Sequence, residues 1–198
     1  MPAHQLAIAF ITNALAEADK SGLVLAEIGI DYGATSSALA AFLGNEGELH
    51  LYDYESKTGK IVADLAVAGY TNVHGFGCSE KTLDSYNWQL MQVLKDHPRP
   101  IYDYVFLDGA HTWAHDALAF FLIDRLLKPG GFIHFDDYAW TIADSPTVNP
   151  QAKPHMAQLY TAEQMSTPQV ALVVELLVRR DPRYEEVVKN AIFVKKTA

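Results

Sequence analysis

Acidic residues recur where apolar runs stop. Asp53 follows Glu48–Tyr52 (ELHLY), Asp108 follows Tyr102–Leu107 (YDYVFL), and Asp136 and Asp137 follow Phe132–Phe135 (FIHF). If these runs are neighbouring parallel strands, about 4.8 Å apart, then Asp108, Asp136 and Asp137 can converge. Three close carboxylates repel one another unless they are protonated or bridged by a cation. Oxygen donors of this kind suit Mg²⁺, which keeps several waters and leaves positions for a substrate. The structural alternative has Asp136 bonded to backbone amides and Asp137 capping the next turn. His111 stands three residues after Asp108. Its imidazole titrates near neutrality and suits proton removal from a hydroxyl; otherwise it caps the following helix or lies at a rim. His115, four residues further on, would share a helix face with it and is expected to be partly solvated.

A second group lies in Glu27-Ile28-Gly29-Ile30-Asp31-Tyr32-Gly33-Ala34-Thr35. Gly29 and Gly33 permit a tight strand-to-helix turn and close ligand approach. The free N–H groups of the helix that follows favour a carboxylate or phosphate. The spacing departs from the GxGxxG dinucleotide fingerprint, and a purely structural turn is the other reading. Asp53 ends the next strand, where an acid commonly holds ribose hydroxyls; a plain surface acid is its alternative.

The elements that must position these groups alternate. Apolar spacing predicts a helix over 3–19, closed near Lys20-Ser21-Gly22. Strands are expected at Leu23–Ile30, Glu48–Tyr52, Asn72–Gly77, Tyr102–Leu107 and Phe132–Phe135. Helices are expected from Thr35-Ser36 to about Leu43 and over 57–69, 79–96 and 113–127. This alternation predicts an α/β fold: one Rossmann-like doubly wound sheet, mostly parallel, with helices on both faces. Residues 138–167 hold Pro146, Pro150 and Pro154 and lack periodicity, so an irregular insertion covering the site is expected there. Residues 168–180 read as an apolar helix, packing in the core or forming a homo-oligomer interface. Tyr184–Val188 and Ala191–Lys196 read as an antiparallel hairpin at the sheet edge. Residues 1–198 are expected to form a single domain, with 1–20 as an N-terminal helical segment.

Composition narrows the partners. The 198 residues are 49% hydrophobic, enough for a substantial core, and carry 15 Lys plus Arg against 24 Asp plus Glu, a formal charge of −9. No basic cluster suits nucleic acid or an anionic membrane. Cys78 is the single cysteine, which excludes an internal disulfide and a Cys-based zinc site. No apolar run reaches the roughly 18 residues of a membrane span, and no secretory leader is apparent, so a cytoplasmic location is expected.

Taken in order, Glu27-x-Gly29-x-x-x-Gly33-x-Thr35, Asp53, Gly77-Cys78-Ser79, Asp108-Gly109-Ala110-His111 and Leu127-Lys128-Pro129-Gly130-Gly131 resemble class I S-adenosylmethionine-dependent methyltransferases over about residues 20–140. Phe106-Leu107-Asp108 and Phe135-Asp136-Asp137 look like the metal-dependent O-methyltransferases of the catechol and macrocin types. The resemblance implies that Glu27, Gly29 and Gly33 border the methionine part of S-adenosylmethionine. It also implies that Thr35 helps hold the cofactor carboxylate, Asp53 binds the ribose and Ser79 lies near the adenine. Asp108 would border the cofactor and, with Asp136 and Asp137, bind Mg²⁺. His111 occupies the position where the catechol-type enzymes carry a lysine base. Asp31 departs from the family pattern, where many members have glycine, and is expected to point away or to meet the cofactor amine. Trp113, Tyr138 and Trp140 would either wall a substrate pocket or pack under the insertion.

The activity implied is methyl transfer to a hydroxyl of a small molecule, a sugar or a catechol-like natural product. A metal-independent or nitrogen-directed methyltransferase and a non-catalytic cofactor-binding subunit are the alternatives. A nicotinamide-dependent enzyme is disfavoured by the glycine spacing.

Overall fold

The structure, a computed structural model, describes residues 3–197. Positions 1, 2 and 198 of the expected single domain lie outside the described residues. The chain runs α1 (Ala3–Ala14), β1 (Val24–Ile28), α2 (Ala34–Leu43), β2 (Glu48–Tyr54), α3 (Glu55–Val67), β3 (Val73–Cys78), α4 (Tyr86–Asp96), β4 (Tyr102–Leu107), α5 (Trp113–Leu126) and β5 (Leu127–Phe135). Short helices α6 (Met156–Leu159), α7 (Ala162–Ser166) and α8 (Gln169–Val173) follow, then β6 (Tyr184–Val188) and β7 (Ile192–Lys195). The sheet order is β3-β2-β1-β4-β5-β7-β6. The first five strands are parallel, and β7 pairs antiparallel with both β5 and β6. This is the doubly wound sheet with a terminal hairpin that the alternation of elements implies. Its strand order reverses between β1 and β4, the place where such sheets bind ligands.

The central strands β1, β2 and β4 are buried on both faces, so they read as near-continuous apolar runs. On one face Ala26, Tyr52, Tyr102, Phe135 and Phe193 pack with Leu90 of α4, Phe120 and Ile123 of α5 and Val173 of α8. On the other, Leu25, Leu49, Leu51 and Phe106 pack with Ile11 of α1, Leu39 and Leu43 of α2 and Ile61 of α3. His134 is buried with Nδ1 2.7 Å from the Tyr104 hydroxyl. His50 is likewise buried, 3.1 Å from the Tyr102 hydroxyl.

Element ends differ from the sequence expectation for identifiable reasons. α1 stops at Ala14, because Glu17 and Asp19 suit a helix C-terminus poorly. The Asp19 carboxylate instead accepts from the Ser21 amide and caps a short 3₁₀ turn, Lys20–Gly22. α4 begins at Tyr86, not 79, with the Ser85 hydroxyl accepting from the Asn87 amide as its N-cap. β5 begins at Leu127, earlier than the Phe132 expected, with a register shift opposite Tyr102–Tyr104 that absorbs Pro129-Gly130-Gly131. The apolar segment after Pro168 is α-helical only over Gln169–Val173 and widens to a π-helical turn over Val174–Val178. The 138–167 insertion is mostly irregular, but it contains α6 and α7, the latter started by a Thr161/Gln164 capping box.

The switch between β1 and β4 is closed by backbone contact. The Asp108 amide donates to the Ile28 carbonyl (2.8 Å) and the Gly29 amide to the Tyr52 carbonyl (2.8 Å). Gly29 has φ +84°, and a Cβ built on it would lie 1.8 Å from the Asp108 carbonyl oxygen. No side chain fits there, and the backbone angle also favours glycine. Gly29→Ala should therefore lower unfolding stability by at least about 2 kcal/mol in urea denaturation; a change within about 0.5 kcal/mol would show that β1 and β4 do not need this contact.

Candidate active site

Each acid at the carboxyl end of the sheet is positioned by backbone. Asp53 Oδ2 accepts from the Ile30 amide (3.0 Å) and from Lys57 Nζ (3.2 Å), while Oδ1 accepts from the Tyr54 amide (2.7 Å). Asp53 thereby ties the Gly29–Gly33 loop to β2. Glu27, buried in β1, accepts from the Ser36 hydroxyl of α2 at 2.5 Å. Burial pushes its carboxyl up to about 8; the Ser36 bond opposes this and the Asp53 charge adds to it. The Asp136 amide continues the ladder onto the Leu107 carbonyl (3.1 Å), and the Asp137 amide donates to Asp136 Oδ1 (2.8 Å).

His111 lies between two of the acids. Its Nε2 is 3.1 Å from Asp108 Oδ1 and its Nδ1 is 3.4 Å from Asp137 Oδ2. Nδ1 is buried and makes no hydrogen bond. Burial lowers the imidazole pKa against the opposing pull of Asp137. Burial also pushes Asp108 up to about 9, and Asp136, Asp137, Glu27 and Asp31 push the same way. Asp136 is raised by burial too. Asp31, His111 and Asp137 all adopt left-handed backbone, with φ of 38°, 55° and 53°, a sparsely populated region that costs on the order of 1–3 kcal/mol per residue.

The loop carrying His111 is braced from below. Tyr86, the first residue of α4, donates its hydroxyl to buried Asp116 of α5 (2.7 Å) and accepts from the Ala110 amide (3.1 Å). A Cβ on Gly109 would lie 2.7 Å from that hydroxyl, so glycine allows the loop to close over it. Sequence reading missed this brace. An acid in the first turn of α5 was its one available signal, and such acids are common for dipole reasons alone.

Three cavities meet at this loop. A cleft of about 480 Å³ is bordered by Gly29, Asp53, Lys57, Cys78, Asp84 and Asp108. A cavity of about 260 Å³ lies between Glu27, Gly29, Thr35, Asp108 and Asp136. Another of about 260 Å³, walled by Trp140, Ile142, Val148, Met156 and Tyr160, reaches His111 and Asp137 from the insertion side. Asp31 does not turn away; it borders the first two. Ser79 is not among the bordering residues. Its amide and hydroxyl both donate to Asp84 Oδ2 (2.8 and 2.7 Å), which leaves Asp84 facing the cleft. Gly33 starts α2 with φ +80° and packs against Ile61. Of the three aromatics singled out in the sequence, only Trp140 reaches the site, with its ring 5.2 Å from that of His111. Trp113 borders a separate groove with Gln169 and Leu172, and the Tyr138 hydroxyl is bonded to Glu175. His115 is half-buried and borders the cleft, 2.9 Å from the Thr112 hydroxyl.

The acid trio suits a hard cation by donor type, and the raised Asp108 and Asp136 carboxyls mark a place short of positive charge. Among the described residues, however, the three carboxylates do not form a set with all ligand oxygens within 4.8 Å of one another. His111 is interposed. Also among the described residues, no helix is long and apolar enough to cross a membrane.

A doubly wound sheet with a glycine turn after β1, an acid at the end of β2 and a cleft at its switch is the architecture of class I methyltransferases, among other α/β proteins. Residues 26–138, more than half of the chain, match the family described as "Methyltransferase domain", and the chain belongs to that family of S-adenosylmethionine-dependent enzymes. Solved O-methyltransferases share the fold. One from Bacillus cereus, in complex with S-adenosylhomocysteine, is 15% identical, with a TM-score of 0.62 over 97% of this chain and 80% of that one. TomG from Streptomyces achromogenes, involved in tomaymycin synthesis and in complex with S-adenosylmethionine, is 22% identical, with a TM-score of 0.51 over 80% of this chain and 67% of that one. MycE of the mycinamycin biosynthetic pathway, in complex with Mg and S-adenosylhomocysteine, is 18% identical, with a TM-score of 0.59 over 95% of this chain and 48% of that one. No curated protein matches the sequence.

Glu27 is protonated in the ligand-free fold up to about pH 8 but ionises near 4.5 when unfolded. A raised folded-state pKa gives stability that is full below 4.5 and is lost as pH rises to about 8. The melting temperature of the ligand-free protein should therefore fall between pH 5 and pH 8.5, and Glu27→Gln should fall less steeply. Equal slopes would mean that Glu27 is ionised in the fold.

Proposed function

We propose that this protein is an O-methyltransferase acting on a hydroxyl of a small molecule, with His111 as the general base. The observation that carries the reading is the position of His111: a half-buried imidazole between Asp108 and Asp137, bordering both the large cleft and the aromatic-walled cavity. A cavity on each side of one base suits a reaction that brings a donor and an acceptor together.

S-adenosylmethionine supplies an activated methyl group on a sulfonium, a good leaving group, so the protein chiefly orients and deprotonates. Asp53 binds the ribose hydroxyls; its carboxylate is already fixed by the Ile30 and Tyr54 amides. Glu27 and Thr35 border the smaller cavity, which suits the amino-acid end of the donor. Trp140 and Tyr160 give the acceptor cavity flat apolar surface, which suits a sugar ring or a catechol-like ring. His111 accepts the hydroxyl proton, and the imidazolium formed is stabilised by the neighbouring Asp137 carboxylate. Asp116 and Tyr86 hold the loop so that the base does not drift. Asp108, Asp136 and Asp137 would hold Mg²⁺, which supplies a Lewis acid that lowers the pKa of an acceptor hydroxyl.

Activity against a panel of sugar and catechol acceptors, with S-adenosylhomocysteine formation as the readout, tests the reading. His111→Ala should reduce turnover by roughly 10²–10⁴-fold while S-adenosylhomocysteine affinity changes less than about threefold; full turnover across pH 6–9 would remove His111 as the base. Chelation should abolish turnover and added Mg²⁺ restore it, and unchanged turnover in chelator would remove the metal. Asp53→Ala should weaken S-adenosylhomocysteine binding by about tenfold, or about 1.4 kcal/mol, by calorimetry. Unchanged affinity would remove Asp53 from the ribose role.

A further inference from the structure

At the opposite end of the sheet from the cleft lies a second cluster of ligating groups. Glu48 is the first residue of β2 and His50 the third, so both point to one face. His74, second in β3, stands in direct register with His50. One ligand atom from each of Glu48, His50 and His74 lies within 4.8 Å of the others, and among the described residues this is the only such group. Glu48 Oε2 is 3.2 Å from His50 Nε2, and the two imidazole rings meet edge to face with centroids 5.5 Å apart. Glu48 and His74 are exposed, whereas His50 is buried.

The buried imidazole is oriented from behind. His50 Nδ1 is 3.1 Å from the Tyr102 hydroxyl, which is itself bonded to the Tyr52 hydroxyl. Tyr102 reaches His50 from β4 across the intervening strand β1. Ligating histidines characteristically use their second nitrogen in such a bond, which fixes ring orientation. The hydroxyl pair can donate to Nδ1 or accept from it. It therefore supports both the tautomer in which Nε2–H donates to Glu48 and the one in which Nε2 offers its lone pair to a metal.

We infer that Glu48, His50 and His74 form a binding site for a borderline transition ion of the Zn²⁺ class, separate from the methyl-transfer centre. Two imidazoles and one carboxylate select such ions over Mg²⁺, which prefers an all-oxygen shell. Solvent completes the coordination on the exposed side. The ion would cross-link β2 to β3, the edge strand, which carries Gly75 and Gly77 and among the described residues has no strand on its outer side.

The test is Zn²⁺ titration of the metal-free full chain against a chromophoric chelator. It is done in an Asp136→Asn background, so that the acids of the cleft compete less. One equivalent of Zn²⁺ should bind per chain, and Co²⁺ should give visible absorption bands. His74→Ala and Glu48→Gln, both at exposed side chains and checked for fold by circular dichroism, should each weaken Zn²⁺ binding at least tenfold. Zn²⁺ should also raise the melting temperature of the parent and not of His74→Ala. Absence of a bound equivalent in the parent, or equal affinity in parent and His74→Ala, overturns the site. Neither result bears on methyl transfer.

Discussion

Carboxyl groups held together against their own repulsion are the constraint around which this molecule is arranged. Asp108, Asp136, Asp137 and Glu27 would separate if the chain allowed it, since burial and mutual charge already raise Asp108 to about 9. The chain does not allow it. Asp108 is fixed by its amide on Ile28, Asp136 by its amide on Leu107, and Glu27 by the strand that runs through the middle of the sheet. The two apolar layers supply the stability that keeps these ends in place. Electrostatic strain of this sort is relieved when a cationic ligand arrives, so the same groups that burden the ligand-free fold favour binding.

Much of this was legible in the sequence because its strands are short apolar runs with acids at their ends. Asp53, Asp108 and Asp136 could be placed at the carboxyl edge of a parallel sheet before any coordinates, since strand direction follows from the βαβ alternation. What could not be read depends on contacts between residues distant in the chain. The bracing of Ala110 by Tyr86 and Asp116 joins three elements and has no local pattern. Trp113, Tyr138 and Trp140 lie within 27 positions of one another, yet only the Trp140 ring comes close to His111, because the insertion's path decides which ring turns inward. Ser79 has the right place in the chain, but Asp84 takes its donors. Helix ends were misjudged where a polar side chain found a better local bond than the next helical turn, as Asp19 and Ser85 did.

The two ends of the sheet carry different chemistry from the same strands. β2 carries Glu48 and His50 in its first half and Asp53 next to its last residue, and β4 begins with Tyr102 and is followed by Asp108. Towards the amino-terminal end imidazoles and phenols form a hydrogen-bonded relay beside Glu48. At the carboxyl end carboxyl groups predominate and face cavities. A parallel sheet permits this division because all its first five strands point the same way, so each end gathers side chains from several strands.

The left-handed backbone at Asp31, His111 and Asp137 bears on how the protein would evolve under different pressures. Glycine at any of these positions would relieve torsional strain, and loss of an acid would also relieve repulsion. A laboratory selection for heat resistance alone would thus find some of its easiest gains inside the cleft and would erode the site before it touched the core.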